Sequence, residues 1–442
     1  MLPLVAMLTA LKGGDSLDKT IDSIVRSETQ RNPSVGLQVA VAKRGHVIFS
    51  RGYGWTDLQH SRACTADTSF HFDSISKHVT AALLLKLMER TKARPGDEVR
   101  KYLKTFKRTG VTLDQILSHT SGLGNYNDVL EGDKSGRHWS HRDVEGLINR
   151  SEPLYRPGTS WSYSNSGFYL AGSIVEELSR QPYERALQRY LAKPQGLQSL
   201  AVGEHPAPRH KIAEGFVMKG GRLQRERIDW SVPFSAGGVT GTASDLLRLE
   251  IGLESHKMLS NHSLRLMRSP HSAPDGAPID YGLGTRLGSL DGHRAIGHTG
   301  SGGGFNTIFV DFPDDGVMVA VLSNVDSSTL THSLCYRLSK TLLNLSRHQT
   351  TPVPLERETA QLRFGTYRTS NGPFEVYVDK GAIWHRPQGS REPGATDPYI
   401  GQLTSLLGGS GVGKMWAKKG TVDWLFFYDC GLLDEACPRV GP

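Results

Sequence analysis

Three short stretches carry residue types that can do chemistry together. The first is Ser74-Ile75-Ser76-Lys77. Residues three apart share one face of a helix, so Ser74 and Lys77 can meet if a helix begins there. A serine hydroxyl is a poor nucleophile near neutral pH and needs a neighbouring base. A lysine supplies one when burial or nearby cations lower its pKa. A helix N-terminus adds a field that favours developing negative charge. Taken alone, the same residues also fit an N-cap serine followed by a surface lysine. The second stretch is Tyr163-Ser164-Asn165, after Tyr155-Arg156-Pro157-Gly158. A tyrosine near a lysine can act as base or relay, and an asparagine amide can donate to a substrate carbonyl. A capped turn is the plainer reading of it. The third is His298-Thr299-Gly300, followed by Ser301-Gly302-Gly303-Gly304. Glycines let a substrate backbone approach an edge strand, and backbone N–H groups there can hold an oxyanion. A flexible glycine-rich turn fits the same residues.

The elements that must position these residues are legible in the apolar pattern. Ile21, Ile24 and Val25 have helical spacing, ended by Pro33. Leu37 to Ala42, a turn at Lys43-Arg44-Gly45, and His46 to Phe49 read as a β-hairpin. Ser74 to Arg90 is helical, and its solid apolar run at Ala81 to Leu85 marks a buried helix. Phe168 to Leu178 is a second such segment. Phe305 to Asn324 reads as two strands around Pro313-Asp314-Asp315-Gly316, with the His298 stretch at the start of that pair. Leu330 to Leu345 reads as an amphipathic helix. Strands at both ends and helices between predict an α+β fold, one antiparallel sheet flanked by helices. Ser346 to Glu358, with Pro352 and Pro354, reads as a linker. The alternating and aromatic runs beyond it predict a small C-terminal all-β domain. The expected division is an N-terminal segment 1–19, a main domain 20–345, a linker 346–358 and a β-rich domain 359–442.

Composition narrows the classes. The chain has 442 residues, 52 Lys+Arg against 44 Asp+Glu, and a net charge of +8. No dense basic block accompanies that charge, so no nucleic-acid partner is expected. Cys64, Cys335, Cys430 and Cys437 are too scattered for a disulfide scaffold or zinc site. Cys430 and Cys437 can form one local bridge or remain thiols. The 17 histidines form no H-E-x-x-H, and neither a metal nor an organic cofactor is expected. Gly408 to Lys414 has the look of a phosphate-binding loop, but Met415 stands where a magnesium-binding hydroxyl would be. No Gly-x-Ser-x-Gly elbow is present. No stretch is long enough to span a bilayer. The apolar run Leu2 to Leu11 fits a leader remnant or a short helix, which leaves the compartment open.

The order of the three stretches, and several blocks between them, resembles the penicillin-recognising serine hydrolases. That group contains class C β-lactamases, DD-carboxypeptidases and D-aminopeptidases. Leu117-Ser118-His119-Thr120-Ser121-Gly122-Leu123, Pro157 to Gly172, Gly237-Gly238-Val239 and Tyr281-Gly282-Leu283-Gly284 carry the resemblance further. It covers roughly residues 20–345.

The resemblance implies that Ser74 attacks a carbonyl and forms an acyl-enzyme that water later releases. Lys77 and Tyr163 would share the proton work, and Asn165 would orient the substrate amide. The backbone N–H groups of Ser74 and Ser301 would form the oxyanion hole, with His298, Thr299 and Gly300 on the substrate-binding strand. His298 stands where most such β-lactamases have lysine, and a histidine there resembles certain DD-carboxypeptidases and D-amino-acid peptidases. A histidine is largely neutral at pH 7. Arg286 follows Tyr281 to Gly284, on the expected neighbouring strand, where an arginine can hold a C-terminal carboxylate; a solvated strand residue fits it equally. The implied activity is a serine peptidase or amidase on D-amino-acid peptides, with β-lactams as acylating ligands. An esterase or β-lactamase on the same machinery, and a non-catalytic penicillin-binding-like protein, are the alternatives. A small peptide, amide or ester is the expected substrate, and a homo-oligomer is an open option.

Overall fold

Alternation of apolar residues along β-strands separates two cores. The computed structural model describes residues 2–31, 36–130, 138–203, 210–272, 278–326 and 330–345, and the backbone of six strands beyond residue 364. In chain order the elements that build the site are α1 (Leu2–Arg31), β1 (Gly36–Lys43), β2 (His46–Gly54), β3 (Thr68–His71), α2 (Ser76–Arg90), α3 (Leu113–Ser118) and α4 (Asn165–Ser179). They continue with β4 (Val239–Gly241), α5 (Ala243–Glu254), β5 (Arg286–Leu290), β6 (His293–Gly302), β7 (Phe305–Phe312), β8 (Val317–Ser323) and α6 (Leu330–Leu342).

The main sheet runs β5-β6-β7-β8-β1-β2, every neighbouring pair antiparallel. Both ends of the chain supply it, as expected. The β1–β2 turn passes through Arg44 and Gly45, both at positive φ, which matches the twist of a tight hairpin. Leu37, Val39 and Val41 of β1 face α1 and α6, with Val319 and Val321 of β8 and Leu334 and Leu338 of α6. Their neighbours Ala40, Ala42, Ala320 and Leu322 face the helical core with α2 and α4. The period of two along each strand puts successive residues on opposite faces. Helix α2 is apolar on all sides because it is packed on all sides: Ala81 to Leu85 are at most 1% exposed. Each such leucine contributes about 1.5–3 kcal/mol of burial.

Two elements differ from the sequence expectation. The helix containing Ile21 and Val25 extends back to Leu2 as one 30-residue helix. The His298 stretch lies inside a third strand, β6, and not at the start of the late pair. Its polar and glycine residues hide the alternation, because this strand is buried mainly by close backbone packing. Beyond residue 364 the described backbone is all strand, paired antiparallel. The expected linker 346–358, Cys430 and Gly408 to Gly411 lie outside the described residues. Cys64 and Cys335 are buried free thiols. Among the described residues no helix is long and apolar enough to cross a membrane.

Candidate active site

A single turn of 3-10 helix, Asp73–Ile75, leads into α2 and carries Ser74. Two hydrogen bonds fix its angle. Phe72 N–H donates to Val239 O at 2.9 Å, and Val239 N–H donates to Ser76 Oγ at 3.0 Å. Ser74 is the one residue of that turn that is not fully buried. Lys77 is fully buried, with Nζ 2.9 Å from Ser74 Oγ and 2.9 Å from Ala236 O. Burial pushes the Lys77 ammonium well below its usual range, the Arg286 charge adds to this, and Asp73 opposes it. A lysine held neutral can take the serine proton.

Tyr163 and Asn165 flank the N-cap of α4. The Tyr163 ring has Lys77 Nζ 4.8 Å from its centroid and the Arg286 guanidinium 5.6 Å from it. Asn165 lines the cleft in front of Ser74, and its backbone N–H donates to Asn125 Oδ1 at 3.2 Å. Arg286 sits on β5 opposite Gly297 of β6, as the sequence expected, and is 7% exposed. The structure therefore brings Ser74, Lys77, Tyr163 and Arg286 into one cluster, although they span more than 200 residues of chain.

His298 is placed differently from its neighbours. It is fully buried and turned into a chain of hydrogen bonds. Its Nδ1 lies 2.6 Å from Thr299 O, an atom that only accepts, so Nδ1 carries the proton. Nε2 then accepts from the Tyr281 hydroxyl at 3.0 Å. That hydroxyl lies 3.1 Å from His119 Nε2, while His119 Nδ1 accepts from Ser164 N–H at 3.1 Å. Both imidazoles are thus satisfied in their neutral forms. Burial, joined by the charges of Lys77 and Arg286, pushes both well below the ordinary histidine range. The chain links the Tyr163 loop to β6 with no charge in it. His119 occupies the left-handed region at φ 63 as the C-cap of α3. Neither His119 nor Tyr281 was assigned a role from sequence. Both lie in blocks that carried the resemblance, but only their spatial neighbours reveal the chain.

Close packing brings β6 to the nucleophile. A Cβ on Gly300 would stand 2.3 Å from Phe72 O and 2.4 Å from Thr307 Oγ1, so only glycine fits there. Thr299 lies just before this contact and is nearly buried. Ser301, just after it, lines the cleft with Ser74, Asn165 and Trp230. Ser301 Oγ donates to Asp326 Oδ1 at 2.5 Å. Asp73, next to Ser74, lines the same cleft and adopts φ 47. Burial and the Asp326 charge push its carboxyl well above the usual range, against Lys77. The cleft in front of Ser74 is open to solvent and has a volume of about 160 Å³.

One acidic cluster has the composition of a metal site. Glu250, Glu254 and Asp311 bring oxygens within 4.8 Å of one another. Arg268 already stands as a cation among these acids. It pairs with Glu250 at 2.5 Å, with Glu254, and lies 3.9 Å from Asp311.

Comparison with known proteins bears on the whole arrangement. Residues 21–339 match the family model described as Beta-lactamase. A penicillin-binding protein of Bacillus subtilis is 26% identical over 66% of this chain and 68% of its own length. A D-aminopeptidase of Cereibacter sphaeroides is 27% identical over 71% of this chain and 60% of its own. Among solved structures, the octameric penicillin-binding protein homologue from Pyrococcus abyssi superimposes with a TM-score of 0.66. It shares 21% identity over 95% of this chain and 99% of that one. The D-amino acid amidase from Ochrobactrum anthropi SV3 gives 0.64 and 19% identity, over 75% of this chain and 98% of that one. At these identities the structural matches speak for the fold.

Proposed function

The chain belongs to the β-lactamase family, and from that premise we propose a serine hydrolase that acts on small amides or peptides of D-amino acids. One observation carries this reading: a desolvated Lys77 with Nζ 2.9 Å from the Ser74 hydroxyl. In the proposed cycle the neutral amine of Lys77 takes the Ser74 proton as Oγ attacks the carbonyl. The carbonyl electrons move to an oxyanion held by the Ser74 and Ser301 backbone N–H groups. The oxyanion collapses, the C–N bond breaks, and the leaving amine takes a proton through Lys77 and Tyr163. Water then attacks the acyl-enzyme with the same groups acting in reverse. Asn165 orients the substrate amide, and Thr299 and Gly300 shape the strand it lies along.

Substrate class follows from what surrounds this core. His298 is neutral and turned away into its hydrogen-bond chain, so it offers no fixed charge to a substrate carboxylate. That supports an amidase or aminopeptidase over a carboxypeptidase, in line with the relatives named D-aminopeptidase and D-amino acid amidase. Arg286 remains the candidate anchor for any carboxylate. The division into 1–19, 20–345, 346–358 and 359–442 is part of the proposal, with the last part restricting access or supporting assembly. A relative described as octameric supports a homo-oligomer.

The test is an intact mass after mixing with a penicillin, using Ser74→Ala as the control. An adduct on wild type alone supports an acylating Ser74. Turnover is then compared between D-aminoacyl amides and D-Ala-D-Ala peptides. Undiminished hydrolysis by Ser74→Ala would remove the scheme.

A further inference from the structure

The cleft wall beside the nucleophile carries an acid that the acyl-enzyme cycle does not use. Asp73 immediately precedes Ser74, lines the same cleft and is 6% exposed. Its backbone lies in the left-handed region, a mildly strained state that aspartate tolerates better than most residues with a Cβ. Strain of this kind persists where the surroundings enforce it, and such positions cluster at functional sites. Its Oδ2 is buried and makes no hydrogen bond. Among the described residues no Lys, Arg or His lies within ion-pair distance of its carboxyl. Burying a carboxyl without donor or cation is unfavourable. A second carboxyl worsens the balance: Asp326, which accepts the Ser301 hydroxyl, is near enough for its charge to act on Asp73. Lys77 also acts on Asp73, but its amine end is committed to Ser74 and Ala236 O.

A carboxyl at the cleft wall, with a second acid near enough for its charge to act on it and, among the described residues, no cation paired to either, suits a cation that arrives with the substrate. In an amino-acid amide the α-ammonium nitrogen is two bonds from the carbonyl carbon that Ser74 attacks. Its acceptor must therefore stand beside the nucleophile, and Asp73 is the nucleophile's chain neighbour. Resting on the serine-hydrolase reading above, we propose that Asp73, backed by Asp326, is the specificity-determining subsite for the free α-ammonium of the residue being released. It selects substrates with an unblocked amino terminus and disfavours those that present a carboxylate there. An ammonium beside the Asp73 carboxyl supplies the missing cation, and its positive charge relieves the repulsion between the two acids.

The test compares kcat/KM for D-alanine p-nitroanilide and its N-acetyl derivative, in wild type and in Asp73→Asn. Asparagine tolerates the left-handed backbone. Wild type prefers the free amine, and in Asp73→Asn that preference falls by about 10- to 100-fold, the loss of one charge-assisted interaction. If Asp73→Asn does not fold, Asp73→Gly is used, since glycine adopts this φ without strain. A preference unchanged in the variant overturns the subsite. So do equal losses on both substrates, which a merely structural role produces. Cleavage by wild type of the acetylated substrate alone overturns the subsite and leaves the serine hydrolase standing. Cleavage of neither, with a penicillin adduct on Ser74, also overturns the subsite alone. Cleavage of neither, with no adduct, overturns the serine-hydrolase reading and the subsite with it.

Discussion

Lys77 and His78 are adjacent, both fully buried, and serve opposite ends of the physics of burial. His78 points into a buried polar network. Its Nε2 lies 2.8 Å from Glu250 Oε2 and its Nδ1 lies 3.0 Å from Thr285 Oγ1. Arg268 completes the network by pairing with Glu250 and Glu254. Burial alone would raise the Glu250 carboxyl, but the charges of His78 and Arg268 outweigh it and hold it down to about 2. Lys77 has no carboxylate within ion-pair distance among the described residues. Its hydrogen-bond partners among the described residues are a hydroxyl and a carbonyl oxygen, the Tyr163 and Phe168 rings lie beside it, and burial drives it toward its neutral form. The same helix thus carries a charge-compensated cluster on one side and an uncompensated amine on the other. Compensation holds a buried carboxyl in its charged form; its absence leaves an amine that can act as a base. A desolvated group with a shifted pKa in a cleft is the physical signature of a functional site.

The largest test of this contrast is Lys77→Met. Removing the base is expected to lower kcat by about 10²–10⁴-fold, while the melting temperature holds or rises, because a desolvated amine is replaced by an apolar chain. A clear fall in melting temperature would contradict the contrast. Glu250→Gln is its mirror image. Breaking a buried pair costs about 3–5 kcal/mol, read as a shifted denaturation midpoint, while the folded fraction retains its kcat. The pH dependence should follow. The Glu250 carboxyl falls from 4.5 to about 2 on folding, so the folded state binds fewer protons in that interval. Its stabilisation is complete above pH 4.5 and is lost as pH falls through 2. Denaturation midpoints of wild type and Glu250→Gln should therefore converge over that range.

Smaller effects should come from groups that position the cleft. Tyr281→Phe cuts the chain between His119 and His298 and leaves two ring nitrogens without their partner. A loss of about 1–3 kcal/mol is expected, divided between stability and kcat, with little change in KM. A pure KM effect would assign Tyr281 to substrate contact instead. Arg286→Ala should have the mildest effect on amides and a greater one on substrates with a free C-terminal carboxylate, measured as kcat/KM on matched pairs. Equal losses on both would remove its anchoring role.

Local geometry made much of this molecule readable in the chain. Ser74 and Lys77 meet because three residues of helix bring side chains together wherever the helix lies. The hairpin, the buried helix α2, the late strand pair and α6 follow from apolar periods of two and 3.6. The strand holding His298 was less clear, because glycines and polar residues there pack by backbone contact.

What the tertiary structure alone decided are the relations across sequence distance. His119 and Tyr281 are 162 residues apart and share one hydrogen bond. His298 is read from sequence as a residue of the substrate strand, and its ring is turned by Tyr281 into the interior. Asp73 is an ordinary aspartate in the sequence. Only its left-handed backbone and the absence, among the described residues, of a cation paired with it give it meaning. The physical reason is common to all three. Helix and strand periodicity depend on neighbours in the chain, whereas pairing, burial and charge compensation depend on neighbours in space.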